Sequence, residues 1–138
     1  MAYSVAKCNS EIIGIEGKIK EYKAAKDEIK TAKSTCKTDA KAYATTIKKI
    51  KGDLLKMEKK GCFEGKMATK LGTIVSDFKS DLESAKSKAD ELATAADKQI
   101  AKIDLKIADL NTDERTWRGN LQVAINAEVA NQKGRKKK

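Results

Sequence analysis

Residues 5–61 read VAKCNSEIIGIEGKIKEYKAAKDEIKTAKSTCKTDAKAYATTIKKIKGDLLKMEKKG and hold one unbroken heptad register. The a positions are Val5, Ile12, Ile19, Lys26, Lys33, Ala40, Ile47, Leu54 and Gly61. The d positions are Cys8, Ile15, Tyr22, Ile29, Cys36, Tyr43, Ile50 and Met57. Alternating 3-4 spacing sustained over about eight heptads is the signature of a supercoiled helix, which must lie against another helix.

Composition agrees with one all-α unit. The chain contains no proline, so the strongest helix breaker is missing throughout. Aromatic residues make up 4% and charged residues 36%, a mix typical of long helices and coiled coils. A helix of roughly 55 residues is about 80 Å long at 1.5 Å per residue, which predicts a rod.

The pattern breaks at Gly61-Cys62-Phe63-Glu64-Gly65, just after Lys59-Lys60. Basic residues followed by glycine mark a helix C-terminus. The apolar stripe resumes at Met67 and runs through Leu71, Ile74, Phe78, Leu82, Ala85, Ala89, Leu92, Ala96, Ile100, Ile103, Ile107 and Leu110. It slips to 4-4 spacing at Phe78–Leu82 and again at Ala96–Ile100, and such stutters unwind a coiled coil locally without ending it. The prediction is a single hairpin domain over 1–132, with arms at about 4–60 and 66–131 and a turn at 61–65. Its seam holds Ile12, Ile19 and Ile47 from the first arm and Ile103, Ile107 and Trp117 from the second, with Trp117 level with Cys8 and Ile12. Asn111 and Glu114 resemble a loose capping box, yet the spacing continues through Trp117, Leu121 and Ala124, which favours one helix. Residues 133–138, KGRKKK, are too charged to bury and read as a disordered tail.

Charge and leftover apolar residues point to a partner. Residues 1–60 carry fifteen lysines against eight acids, whereas residues 61–132 carry ten basic against twelve acidic residues. A basic arm beside an acidic arm favours the hairpin weakly, because exposed pairs contribute only a few tenths of a kcal/mol. Apolar residues outside the seam include Ile13, Leu55, Val75 and Leu105, the candidate partner contacts. Two helices bury little surface, so exposed flanks favour completion of a four-helix bundle. Lysines at the successive a positions 26 and 33 fit that expectation, since a charge in a seam selects register or partner at some cost in stability.

No catalytic, metal or cofactor site is expected. The chain has no histidine, no glycine-rich phosphate loop and no Cys/His set of metal-ligand spacing. Cys8 and Cys36 lie about 42 Å apart along one helix, far beyond disulfide reach, and Cys62 falls in the presumed turn. The N-terminal residues lack the apolar core of a signal peptide, and no run of about 18 apolar residues exists, so a cytoplasmic protein without a membrane span is expected.

The turn carries a family resemblance. Phe63-Glu64-Gly65-Lys66-Met67-Ala68 places an aromatic two residues before a glycine and an alanine three residues after it, between two long helices. This resembles the Trp-x-Gly hairpin proteins of bacterial type VII secretion, and more closely the small helical partner proteins of LXG polymorphic toxins. An aromatic at the turn staples both arms, and glycine permits a positive φ. The resemblance implies a targeting factor or chaperone that binds the helical N-terminal region of an LXG toxin, with or without a second small helical partner. It implies a bacterial cytoplasmic protein that leaves, if it leaves, by the leaderless type VII route. The chain departs from the family in having Phe63 at the turn, with its one tryptophan at Trp117. It also lacks a tyrosine followed four residues later by an acid after Trp117, which implies that the toxin or a partner supplies the export signal.

Two further readings compete with this one. The pI near 9.5 and the basic tail attract phosphates, but no aromatic and basic residues interleave for base stacking. A homodimeric coiled coil without a dedicated partner is the other alternative.

Overall fold

In the computed structural model, which describes residues 3–61 and 65–137, the chain is all-α: α1 spans Val5–Lys59 and α2 spans Lys66–Lys136. The two helices pack against each other as an antiparallel hairpin. Ser4 starts α1 as an N-cap, its Oγ accepting the Lys7 amide at 3.1 Å while its carbonyl accepts the Cys8 amide at 3.0 Å. Lys56 and Lys59 occupy the last turn of α1, where cations complement the helix dipole. Gly61 and Gly65 both take left-handed φ, +72° and +60°, which glycine adopts without the Cβ penalty. The Gly65 carbonyl accepts the Thr69 amide and opens α2.

α2 passes Asn111 without a break and extends to Lys136. The tail read as disordered from residue 133 is therefore helical almost to its end. Lys133, Arg135 and Lys136 are good helix formers sitting at the end of the dipole that favours cations, so charge alone does not unwind them.

The helix pair divides into two compact units. The terminal unit comprises Met1–Glu28 and Gln99–Lys138, and the loop unit comprises Ile29–Lys98. The terminal unit buries Cys8, Ile12, Ile15 and Ile19 on α1 and Ile103 and Ala124 on α2. Tyr3 packs its ring on Trp117 with centroids 4.8 Å apart and planes tilted by 56°. Trp117, half-buried, thus meets a residue just ahead of α1.

Among the described residues of the loop unit, Ile47 and Leu82 are the large apolar residues that are buried. Here the α2 seam runs Leu71, Val75, Phe78, Leu82, Ala85, Ala89, Ala93 and Ala96. The two expected stutters reduce to one, at Ala85–Ala89–Ala93, because Val75 and Ala93 turn inward where Ile74 and Leu92 were expected. Alanines line this part of the seam, and Ile74 and Leu92 stand exposed at its edge.

Candidate binding surface

Both lysines in the seam find carboxylates on the opposite helix. Lys26 Nζ lies 2.5 Å from Asp104 Oδ1 in the terminal unit, and Lys33 Nζ lies 2.5 Å from Asp97 Oδ1 in the loop unit. The lysine side chains are largely covered, 25% and 23% exposed, while the aspartates remain open to water. Each pair fixes which residue of α2 stands beside α1. In the terminal unit Arg118 also bridges Glu114 of its own helix and Glu16 of α1, both at 2.6 Å. Its guanidinium is held above its ordinary value first by the hydrogen bonds it donates to Glu114 and then by that carboxylate's charge, with Glu16 adding less.

The two edges of the loop-unit seam differ in chemistry. Along α1 from Ile29 onward, the d and g positions present Ala32, Cys36, Asp39, Tyr43, Ile50 and Met57. The e and b positions present Lys30, Lys37, Lys41, Lys48 and Lys51, a row about 31 Å long at helical rise. None of these five lysines joins an ion pair among the described residues.

On the first edge an open groove of about 770 Å³ is lined by Ala32, Cys36, Ala40 and Tyr43 of α1 and Ala85, Ala89 and Leu92 of α2, with Asp39 and Lys88 at its margins. Ile50 and Met57 follow Tyr43 at heptad spacing, so they continue the same edge. Ile74 lies eighteen residues from Leu92, five helical turns, and hence on the same face, with Met67 a heptad further. These six side chains are 38% to 56% exposed, and their spacing sets them in a strip along one edge of the seam.

On the second edge a cleft of about 220 Å³ has Ile47, Val75, Phe78 and Leu82 as its floor and Lys48, Lys51, Lys79 and Lys86 around it, with Glu83.

The predicted residues are distributed as follows. Ile12, Ile19, Ile47 and Ile103 are buried in the seam, and Ile107 and Trp117 are half-buried there. Ile13 and Leu105, 68% and 69% exposed, stand as single apolar residues of the kind common on any surface. Val75 was expected outside the seam but is half-buried within it, at the floor of the lysine-rimmed cleft. Leu55 is exposed at a b position, four residues beyond Lys51. Of the turn motif, Phe63 lies outside the described residues, as does Cys62; Gly65 holds its positive φ, and Ala68 falls in the first turn of α2. Cys8 and Cys36 are free thiols, the first buried and the second half-buried in the apolar groove.

Sequence reasoning missed the apolar strip because it assigned all six of its residues to the seam. The available signal was adjacency: Tyr43-Ala44, Ile74-Val75 and Leu92-Ala93 each offer two apolar residues for one seam position. In every case the smaller partner turns inward. Among the described residues no group of three Cys, Asp or Glu side chains converges as a metal site would require, and no helix is long and apolar enough to cross a membrane. Compared with known proteins, the chain matches no family model, no curated protein and no solved structure.

Proposed function

We propose that this chain is a non-catalytic partner protein that offers the apolar strip of its loop unit to helices of another protein, completing a four-helix arrangement. The observation that carries this reading is the strip itself: Tyr43, Ile50, Met57, Met67, Ile74 and Leu92 on one edge, each more than a third exposed. A large apolar side chain taken fully from water contributes roughly 1.5–3 kcal/mol, so covering even the exposed halves of six such residues favours association by several kcal/mol. The groove between the helices, floored by alanines, accepts the ridge of an incoming helix.

The resemblance at the turn supplies the identity of the partner. The role is that of a targeting factor or chaperone, which holds the helical N-terminal region of an LXG-type toxin in order for recognition by the type VII machinery. The positive φ at Gly65 supports this part, because glycine at that motif position takes a backbone conformation that other residues resist.

Co-expression with the N-terminal helical region of an LXG toxin, followed by affinity purification and native mass spectrometry, tests the proposal. The wild-type chain is expected to retain that region, and the double variant Tyr43→Glu/Leu92→Glu to lose it while keeping its helicity. Retention by the double variant removes the strip from the mechanism. A chain that forms a homodimer and ignores every toxin region offered assigns the strip to self-association instead.

A further inference from the structure

We infer that the lysine-rimmed cleft on the other edge of the loop unit seats an acidic amphipathic helix, an inference that rests on the reading above in taking a helix as the ligand and adds its charge. Ile47 and Leu82 close the floor, and Val75 and Phe78 leave part of their surface open above it. About 220 Å³ is below the usual range of roughly 300–1,000 Å³ for a small-molecule site and suits one bulky side chain projecting from a helix.

The rim adds direction. Lys48 and Lys51 approach from α1 and Lys79 and Lys86 from α2, opposed by Glu83 alone. Lys79 and Lys86 are seven residues apart, as are Lys41 and Lys48 on α1. Two turns separate each pair, so carboxylates spaced by a heptad on a partner helix meet both rows while an apolar residue between them enters the cleft. This is the charge logic that sets partner choice at the edges of coiled coils. Leu55 extends the edge beyond Lys51 with a further exposed apolar contact.

Two other occupants fit less well. A nucleic acid leaves the apolar floor without a complement, and the rim contains lysines rather than the arginines that grip phosphates and base edges in two-pronged fashion. A second copy brings its own lysines: residues 29–98 carry sixteen lysines against ten acids, so two such edges repel.

The test uses the full chain and a synthetic helix of about 20 residues, ~30 Å long, with leucines at heptad spacing flanked by glutamates. Its counterpart has lysine at every glutamate. Fluorescence anisotropy is expected to show binding of the glutamate peptide, weakening as salt rises, and no binding of the lysine peptide. Lys48→Glu/Lys79→Glu is expected to weaken the glutamate peptide about tenfold or more. If that variant loses helicity, Lys48→Gln/Lys79→Gln carries the same test with a smaller loss. Equal binding of both peptides, indifference to the substitutions, or tighter binding of duplex DNA than of the glutamate peptide overturns the inference. A toxin region retained equally by wild type and Lys48→Glu/Lys79→Glu removes this inference and leaves the proposed function standing. Binding of the acidic peptide by a chain that retains no toxin region does the reverse.

Discussion

The terminal unit and the loop unit are built from the same two helices with the same heptad logic, yet they bury very different cores. Cys8, Ile12, Ile15, Ile19, Ile103 and Ala124 are buried in the first; Ile47 and Leu82 are their counterparts in the second. Between residues 29 and 47 the α1 seam offers Lys33, Cys36 and Ala40, and α2 answers with Ala85, Ala89, Ala93 and Ala96. A seam of small or charged residues removes little apolar area from water, so this unit gains less from pairing its own helices. What it retains is a displayed surface, with bulky apolar side chains along one edge and lysines along the other. The difference lies in what is buried: both units expose large apolar side chains, Val123, Ile125 and Val129 among them in the terminal unit, but the terminal unit also buries an aliphatic core that the loop unit largely lacks.

The largest effect expected is therefore a contrast. Ile15→Ala removes a buried seam residue of the terminal unit and is expected to cost about 2–4 kcal/mol in urea unfolding. Ile50→Ala, at the same d position of the loop unit but 38% exposed, is expected to cost less than about 1 kcal/mol. Native-state hydrogen exchange is expected to order the units the same way, with seam amides of residues 8–19 exchanging more slowly than those of residues 36–50. Equal costs for the two isoleucines erase the distinction between the units.

Much of this was legible in the sequence, and the misses share a cause. The register of α1 located every buried residue of that helix, and the glycines at 61 and 65 located the helix ends. Periodicity resolves position to about one residue, so it could not decide between Tyr43 and Ala44, Ile74 and Val75, or Leu92 and Ala93. Hydrophobicity favours the larger member of each pair, whereas the seam takes in the smaller. That one substitution of criterion converts an apparent core into a candidate binding strip. Charge misled in a similar way at residues 133–136, where a run too polar to bury was taken as a run too polar to fold. The acidic partners of Lys26 and Lys33 were present but unread: Asp97 and Asp104 repeat the same seven-residue spacing in the opposing arm.

Those ion pairs sharpen the comparison at a smaller scale. Asp97→Asn leaves the largely covered Lys33 ammonium without its carboxylate and is expected to destabilise by about 1–2 kcal/mol, less than a fully buried charge because water still reaches the site. Lys33→Leu is expected to stabilise by about 1 kcal/mol or more, since an apolar residue at an a position commonly outperforms a seam charge. The gain in stability is expected to come with a loss of definition: paramagnetic or cysteine cross-linking measurements should find more than one pairing register in Lys33→Leu. A variant that is both more stable and equally well registered shows that the pair does not select the alignment in the loop unit.

The smallest effect lies at the far end of the terminal unit. Tyr3 is about half exposed, and its ring meets Trp117 at 4.8 Å with planes tilted by 56°, between the stacked and the edge-to-face arrangements. Such pairs contribute about 0.5–1.5 kcal/mol, and the exposure of Tyr3 places this one near the lower limit. Tyr3→Ala is thus expected to cost about 0.5 kcal/mol, an effect close to the error of a urea titration. Fluorescence reads it more directly, because Trp117 is the one tryptophan in the chain. Loss of the covering ring lets water reach the indole, so its emission shifts to longer wavelength and becomes more accessible to a neutral quencher, while the circular dichroism of the helices stays unchanged. An unchanged emission spectrum means that the seam around Ile12 already shields Trp117, and that the terminal unit owes its order to aliphatic packing alone.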